Sequence, residues 1–344
     1  MLVGLPSGRS GLVPTALDSR RHTGLNADSE ARSSAAAPVG ELAWSNGSFL
    51  PRAALSIPLG DAGFVMGATA TEQLRTFRGE LFRPALHATR FRDSLTFIGV
   101  EPAWSLEQIF AAAQTMARHN QAFLSPDDDL GVVIFATPGD IPAQHYGRPG
   151  TPRVAVHSFP LAFAAWARCY TSGVSLRRVG VQQVPEACWP LHLKCRSRMH
   201  YHLADREAHR LEPGARAILC HADGRVSETT TANLALVQRG GIVTPPPGDA
   251  LAGVSLQELR TLAQSLGISW AERSLQSDDL AHADELLLTS TPNCLLPVTR
   301  LDGAAVGPGR PGPVYERLLN AWSRGVGFSI AAQAERFAAA GGVR

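Results

Sequence analysis

Lysine is almost missing from this chain of 344 residues: of 32 basic side chains one is lysine, Lys194, and the other 31 are arginine. In such a chain, exposed lysines have drifted to arginine wherever positive charge alone was needed. A guanidinium stays protonated and cannot serve as an amine nucleophile. A lysine amine can be desolvated, deprotonated and joined to an aldehyde as a Schiff base. Chance survival of one surface lysine is the plain alternative, and the residue by itself does not choose. An excess of one charge is missing as well. Thirty acidic residues leave a formal net charge of +2 with no long basic run, so nothing calls for nucleic acid or an anionic membrane as partner. No stretch reaches the ~20 apolar residues of a membrane span. The richest, 160–167, stops at Arg168.

Paired cysteines are also lacking. Cys169, Cys188, Cys195, Cys220 and Cys294 are odd in number and show no C-x-x-C spacing, which fits a reducing cytoplasm better than a disulfide framework. Cys195, His200 and His202 lie beside the lysine, and on a strand the two histidines would share a face. No second cluster completes four ligands, so no metal is expected. The glycine-bearing loop 60–67 lacks the G-x-G-x-x-G spacing and the Lys-Ser/Thr ending of a nucleotide loop, and there is no G-x-S-x-G serine elbow.

What is present reads as an ordinary soluble globular protein, 44% hydrophobic and 18% charged, long enough for two domains. Residues 1–39, rich in Ser, Ala, Arg, Gly and Pro, have no apolar h-region and read as a disordered extension or a start assigned too early. Asp18, Asp28 and Glu30 argue against a transit peptide. An Asn46-Gly47 turn between apolar flanks and a second turn at Arg78-Gly79 predict hairpins. Helical spacing predicts helices over 87–98 and 105–122, the latter opened by a Ser105/Gln108 capping box. Buried-type strands follow at 130–136 and 153–159.

A composition shift at 160–172 marks a connection between a small α/β domain, 40–160, and a larger one, 173–330, with a tail at 331–344. The second part opens with short strands and the lysine segment. It continues with a hairpin turning at Asp223-Gly224, strands at 233–237 and 242–244, and a helix over 255–266 ended by Gly267. A strand at 270–275, a short helix at 278–283 and a strand at 285–289 complete an α+β mixture.

Four blocks then stand in order: Leu193-Lys194; Val226-Ser-Glu228-Thr-Thr-Thr-Ala-Asn233; Thr244-Pro-Pro with Leu251-Ala-Gly253-Val-Ser255; and Ala283-Asp-Glu with Thr289-Ser-Thr291 and Leu296-Pro-Val298. With His87-Ala-Thr-Arg90 in the first half, they resemble the class IV aminotransferases, the fold type IV pyridoxal-phosphate enzymes. That family holds branched-chain and D-amino acid aminotransferases and 4-amino-4-deoxychorismate lyases. The resemblance runs from about Asn46 to about Val298. The blocks are specific together and not singly.

The resemblance implies a two-domain α+β fold with pyridoxal 5′-phosphate in the interdomain cleft of a homodimer. Lys194 would form the Schiff base with the cofactor aldehyde and later shuttle the proton between the substrate α-carbon and the cofactor. Glu228 would keep the pyridine nitrogen protonated, making the ring an electron sink. Val254 and Ser255, where a helix begins, would offer free N–H groups and a hydroxyl to the phosphate, Ser255 also serving as N-cap. Thr291 and Arg90 match its remaining phosphate contacts. Substrate contacts would come from Arg198, Thr230 and Thr231.

The implied reaction is transamination between an amino acid, branched-chain or D-, and a 2-oxo acid. Release of pyruvate from 4-amino-4-deoxychorismate is the alternative. A non-catalytic binding module is disfavoured because lysine, acid and phosphate contacts all occur together. Branched-chain enzymes typically carry a tyrosine five positions after the lysine. Here that position is Met199, Tyr201 follows two further on, and Thr71 replaces a frequent phenylalanine before Glu72.

Overall fold

The computed structural model of the protein describes residues 40–340, so the expected extension 1–39 lies outside the described residues. The first sheet is built from β1 (Leu42–Ser45), β2 (Ser48–Pro51), β3 (Ala70–Phe77), β4 (Glu80–Leu81), β5 (Leu130–Thr137) and β6 (Arg153–Pro160), in the order β2-β1-β6-β5-β3-β4, antiparallel throughout. Both expected hairpins are present. Ser45 pairs with Ser48 across Asn46-Gly47, and Phe77 with Glu80 across Arg78-Gly79. All four loop residues have positive φ, the backbone that matches the twist of a two-residue hairpin.

Short helix α1 (Ala62–Val65) precedes β3, and the long helices α2 (Pro84–Phe97) and α3 (Leu106–Gln121) follow it. Phe91 and Leu95 of α2, with Ile109, Ala113 and Met116 of α3, bury against Leu74, Val132, Ile134 and Val156 of the strands. The Ser105 capping box forms as its spacing predicts: the Gln108 N–H donates to the Ser105 hydroxyl, and the Ser105 N–H donates to the Gln108 amide oxygen.

After α4 (Cys169–Ser172) comes the second sheet: β7 (Val174–Arg178), β8 (Arg216–Cys220), β9 (Val226–Thr229), β10 (Asn233–Gln238), β11 (Gly241–Thr244), β12 (Trp270–Glu272), β13 (Glu285–Ser290), β14 (Cys294–Leu301) and β15 (Ala304–Ala305). Its order is β12-β11-β10-β13-β14-β7-β8-β9, with β15 on β14. Its helices are α5 (Met199–Leu211), α6 (Val254–Ser265), α7 (Ser277–Ala281), α8 (Pro313–Val326) and α9 (Ile330–Ala340). Leu259 of α6 and Leu318 and Trp322 of α8 pack with Leu234, Leu286 and Leu296 of the strands.

Two expectations, the strand placement of His200 and His202 and the Ser255 cap, need correction. His200 and His202 lie on helix α5, not on a strand, so they point roughly 200° apart and share no face. The helix wins because Ala204 and Ala208 recur at helical spacing and bury against Ala217 and Leu219. Ser255 is not the N-cap of α6; Gly253 is, and Ser255 lies inside the first turn. Segment 161–172 is packed into the core through Leu161, Phe163, Ala167 and Tyr170. Residues 330–340 form α9, whose Phe337 stacks on Phe163 with ring centroids 5.5 Å apart.

Candidate active site

Lys194 lies on an irregular segment held by the first sheet and α2. The Thr71 N–H donates to the Lys194 carbonyl at 2.8 Å, and the Lys194 N–H donates to Ser94 Oγ at 3.3 Å. Downstream, the Arg196 N–H reaches Thr69 Oγ1 and Ser197 Oγ reaches the Gly67 carbonyl. The lysine backbone therefore cannot slide along β3. Its side chain enters the body of the protein, where burial, with the charges of Arg90, Arg198 and Arg196, lowers its pKa to about 8 against the opposing pull of Glu72.

Glu228, from β9, is buried, and all its partners are donors. Tyr201 Oη donates to Oε1 at 2.8 Å, while the Asn233 amide and the Leu251 N–H donate to Oε2 at 3.1 and 3.3 Å. Burial raises its pKa, opposed by the Tyr201 and Leu251 bonds and by the charges of Lys194 and Arg198. Tyr201 reaches Glu228 from α5, its own oxygen accepting from Gln183 at 3.2 Å.

Helix α6 begins where an anion can approach it. Gly253 makes no side-chain cap, so the first N–H groups of the helix face the cleft without an intrahelical acceptor. Glycine is required there by space, not by backbone angle: φ is −70°, but a β-carbon would collide with Asn233 Oδ1. Arg90 donates to the neighbouring Ala252 carbonyl at 2.8 Å. It is also locked by two bonds to Glu72, at 2.8 and 2.7 Å, with His87 Nδ1 2.6 Å from the same carboxylate. Burial alone would raise Glu72, yet the Arg90 charge and the bonds from Arg90 and His87 outweigh it and hold its pKa at about 2.

On the far wall, the turn between β13 and β14 is pinned through its carbonyls. Arg75 donates to Pro292 O at 3.0 Å, Tyr170 Oη to Asn293 O at 2.8 Å and Thr289 Oγ1 to Cys294 O at 2.7 Å. Thr291, on this turn, is thereby fixed at the edge of the cleft. The result is a single cleft of about 490 Å³ lined by Arg90, Lys194, Glu228, Val254, Ser255 and Thr291 together with Arg198, Thr230 and Thr231. All nine residues singled out from the sequence meet there. Arg198 packs over the Tyr201 ring, 4.7 Å from its centroid, and donates to the Thr230 carbonyl. Among the described residues no group of three His, Cys, Asp or Glu side chains comes together to hold a metal ion.

Such a set, a half-buried amine, a buried acid, a helix start and an arginine lining one cleft, can anchor an aldehyde-bearing, phosphorylated pyridine ring. The family model for amino-transferase class IV matches residues 69–301, more than half of the chain. The chain belongs to the class IV aminotransferases. It is 27% identical over 281 residues to the D-alanine aminotransferase of Bacillus licheniformis, covering 80% of this chain and 94% of that one. It is likewise 27% identical over 247 residues to the branched-chain-amino-acid aminotransferase of Salmonella typhimurium, covering 70% and 77%. Its fold matches that of Escherichia coli branched-chain amino acid aminotransferase with a TM-score of 0.76 at 24% identity, over 82% of this chain and 93% of that one. The T.th. branched-chain amino acid aminotransferase complexed with N-(5′-phosphopyridoxyl)-L-glutamate matches with a TM-score of 0.73 at 23% identity, over 83% and 94%.

Sequence reasoning did not assign three residues that this aminotransferase places at the site. Glu72 grips Arg90 and is itself held by His87; the His87-to-Arg90 interval of three residues, one helical turn, was the available signal. Tyr201 was noticed only as being two positions late. A helix starting at Met199 turns that offset into contact with Glu228.

Proposed function

We propose that this class IV aminotransferase moves the amino group of a small amino acid onto a 2-oxo acid, using pyridoxal 5′-phosphate anchored at Lys194. The observation that carries the reading is the convergence of the one lysine, the buried Glu228 and the α6 start on a single cleft. The residues fit the cofactor. Glu228 is a buried acceptor for a ring N–H, and the first N–H groups of α6, with Ser255, Thr291 and Arg90, suit a phosphate. Bound there, the cofactor supplies an aldehyde for amines and a protonated ring that takes up the electron pair left when the substrate Cα–H bond breaks.

The remaining chemistry falls to the protein. A Lys194 amine with a pKa near 8 is unprotonated often enough at neutral pH to attack, and once released its Nζ takes the substrate α-proton and returns it. Glu228, which accepts hydrogen bonds from Tyr201, Asn233 and Leu251, would be the acceptor for the ring N–H. Thr230, Thr231 and Arg198 orient the substrate carboxylate. The active form is a homodimer, for which the exposed Leu59, Phe64 and Met66 offer an apolar contact. It works in the cytoplasm, where five free cysteines are at home. No helix among the described residues is long and apolar enough to cross a membrane.

Absorption spectroscopy tests this. Protein mixed with the cofactor should gain a visible band that the Lys194→Arg variant never shows, with turnover lost by roughly 10²–10⁴-fold or more. Amino acid plus 2-oxoglutarate should yield glutamate. Protein that stays colourless with added cofactor overturns the reading. Pyruvate released from 4-amino-4-deoxychorismate, with no amino transfer, would replace it by the lyase.

A further inference from the structure

We infer that Tyr201 is a positioning residue acting through Glu228: its hydroxyl selects Oε1 as the oxygen that receives the cofactor ring N–H and keeps that proton on the ring. The inference rests on the cofactor reading above and adds a residue to it. A carboxylate offers about four lone-pair sites, two on each oxygen. Three are taken in Glu228. Oε2 accepts from the Asn233 amide at 3.1 Å and the Leu251 N–H at 3.3 Å, and Oε1 accepts from Tyr201 Oη at 2.8 Å. Among the described residues no other donor reaches the carboxylate, so the open site is on Oε1, beside the phenol. Glu228 and Tyr201 line the same cleft, and a donor entering it meets that site.

The phenol is held as a donor. Burial, and then the Glu228 charge, push its pKa well above the ordinary value, so it stays protonated. Its oxygen accepts from Gln183 Nε2 at 3.2 Å, and the same nitrogen donates to Ser227 Oγ at 3.1 Å. Gln183 is fully buried, and its Oε1 is fixed by the Val184 N–H at 2.9 Å. The ring itself is packed by His200, with centroids 4.0 Å apart, and by the Arg198 guanidinium, 4.7 Å from its centroid. His200 Nε2 is buried with no hydrogen-bond partner, and burial with the Arg198 charge lowers its pKa. What His200 gives Tyr201 is therefore contact with a neutral ring.

This arrangement matters because burial pulls Glu228 the other way. A buried carboxyl favours its protonated form, and a proton held by Glu228 is one that the ring nitrogen lacks. The groups that face Glu228 and resist this are Tyr201 from α5, the Leu251 N–H, and the charges of Lys194 and Arg198. The two charges act on the carboxylate as a whole, and Leu251 acts on Oε2. Tyr201 alone of these bonds the oxygen with the open site. A hydrogen bond to an ionised oxygen is of the stronger kind, and it lowers the proton affinity of the oxygen that accepts it. The shared proton is thereby tipped toward the ring.

The test has two spectroscopic arms beside turnover. Carbon-13 NMR titrates the Glu228 carboxyl in the cofactor-free full chain, the signal being identified by its loss in E228Q. Nitrogen-15 NMR reads the ring nitrogen of labelled pyridoxal 5′-phosphate bound to the holoenzyme. In Y201F, Glu228 should keep its proton to a higher pH than in the wild type, and the nitrogen-15 resonance should move toward its unprotonated position. Its kcat should fall by roughly tenfold or more while KM stays within about twofold. Q183M keeps the hydroxyl but removes its donor; it should show the same changes to a smaller degree, and it serves if Y201F does not fold. A Glu228 titration and a ring-nitrogen resonance both unchanged in the variants overturn the inference and leave transamination standing. A holoenzyme that transfers no amino group, but whose resonance still moves in Y201F, overturns transamination and leaves the role of Tyr201 in place.

Discussion

Lys194 shares its surroundings with Arg90, Arg198 and Arg196, and the acid that offsets them, Glu72, already serves Arg90 and His87. A protonated amine is thus held at a cost in the fold. Because the folded pKa, about 8, lies below the ordinary 10.5, that cost is fully present below pH 8 and fades as pH rises from 8 toward 10.5. Uptake of the aldehyde cofactor, which needs the free amine, should therefore accelerate through a midpoint near pH 8 when followed by the growth of the visible band. A midpoint near 10.5 would show that burial leaves the amine unperturbed. At this scale the sequence was informative, since chemistry restricts which residue types can do the work: an amine among guanidiniums, an acid before Asn233, a Gly-Val-Ser helix start. Glu72 and Tyr201 were hidden because their importance lies in what they touch, and residue type alone does not report contacts.

Elements carry the same lesson in another form. The turns at Asn46-Gly47 and Arg78-Gly79 and the Ser105 cap were legible because each is decided within four residues. The start of α6 was legible to within two residues, and the misassigned cap has a physical reason. Ser255 looks like the better cap, but Asn233 occupies the space that any side chain at position 253 would need, and the glycine there lets helix and strand approach. Gly253→Ala should accordingly fold, since φ is −70°, yet push Asn233 away from Glu228 and Leu251 O or shift the first turn of α6. Cofactor affinity should fall by roughly tenfold or more, read by equilibrium titration of the absorption band. An unchanged dissociation constant would mean that the first turn of α6 tolerates displacement.

Across the whole molecule, one buried cluster links parts that lie far apart in sequence. Arg75, 1% exposed, bonds Asp129 and Gln333 at 3.2 Å each as well as Pro292 O, and Gln333 returns a 2.7 Å bond to Asp129. It joins β3, the start of β5, α9 and the turn bearing Thr291. No local periodicity could have shown contacts spanning 217 to 258 positions, which is why the packing of α9 was not legible in the sequence. Arg75→Met should cost about 3–5 kcal/mol in urea unfolding by leaving Asp129 buried and unpaired, and Arg75→Met with Asp129→Leu should recover a good part of it. Equal losses in both would place the cost in packing instead of charge. The scarcity of lysine also has a bearing on the intact chain. A protease that cuts only after lysine has one target, dividing the unfolded protein into residues 1–194 and 195–344. Cofactor fixed to Lys194 by reduction blocks that cut, so the fraction of chain left whole after digestion is a direct count of loaded sites.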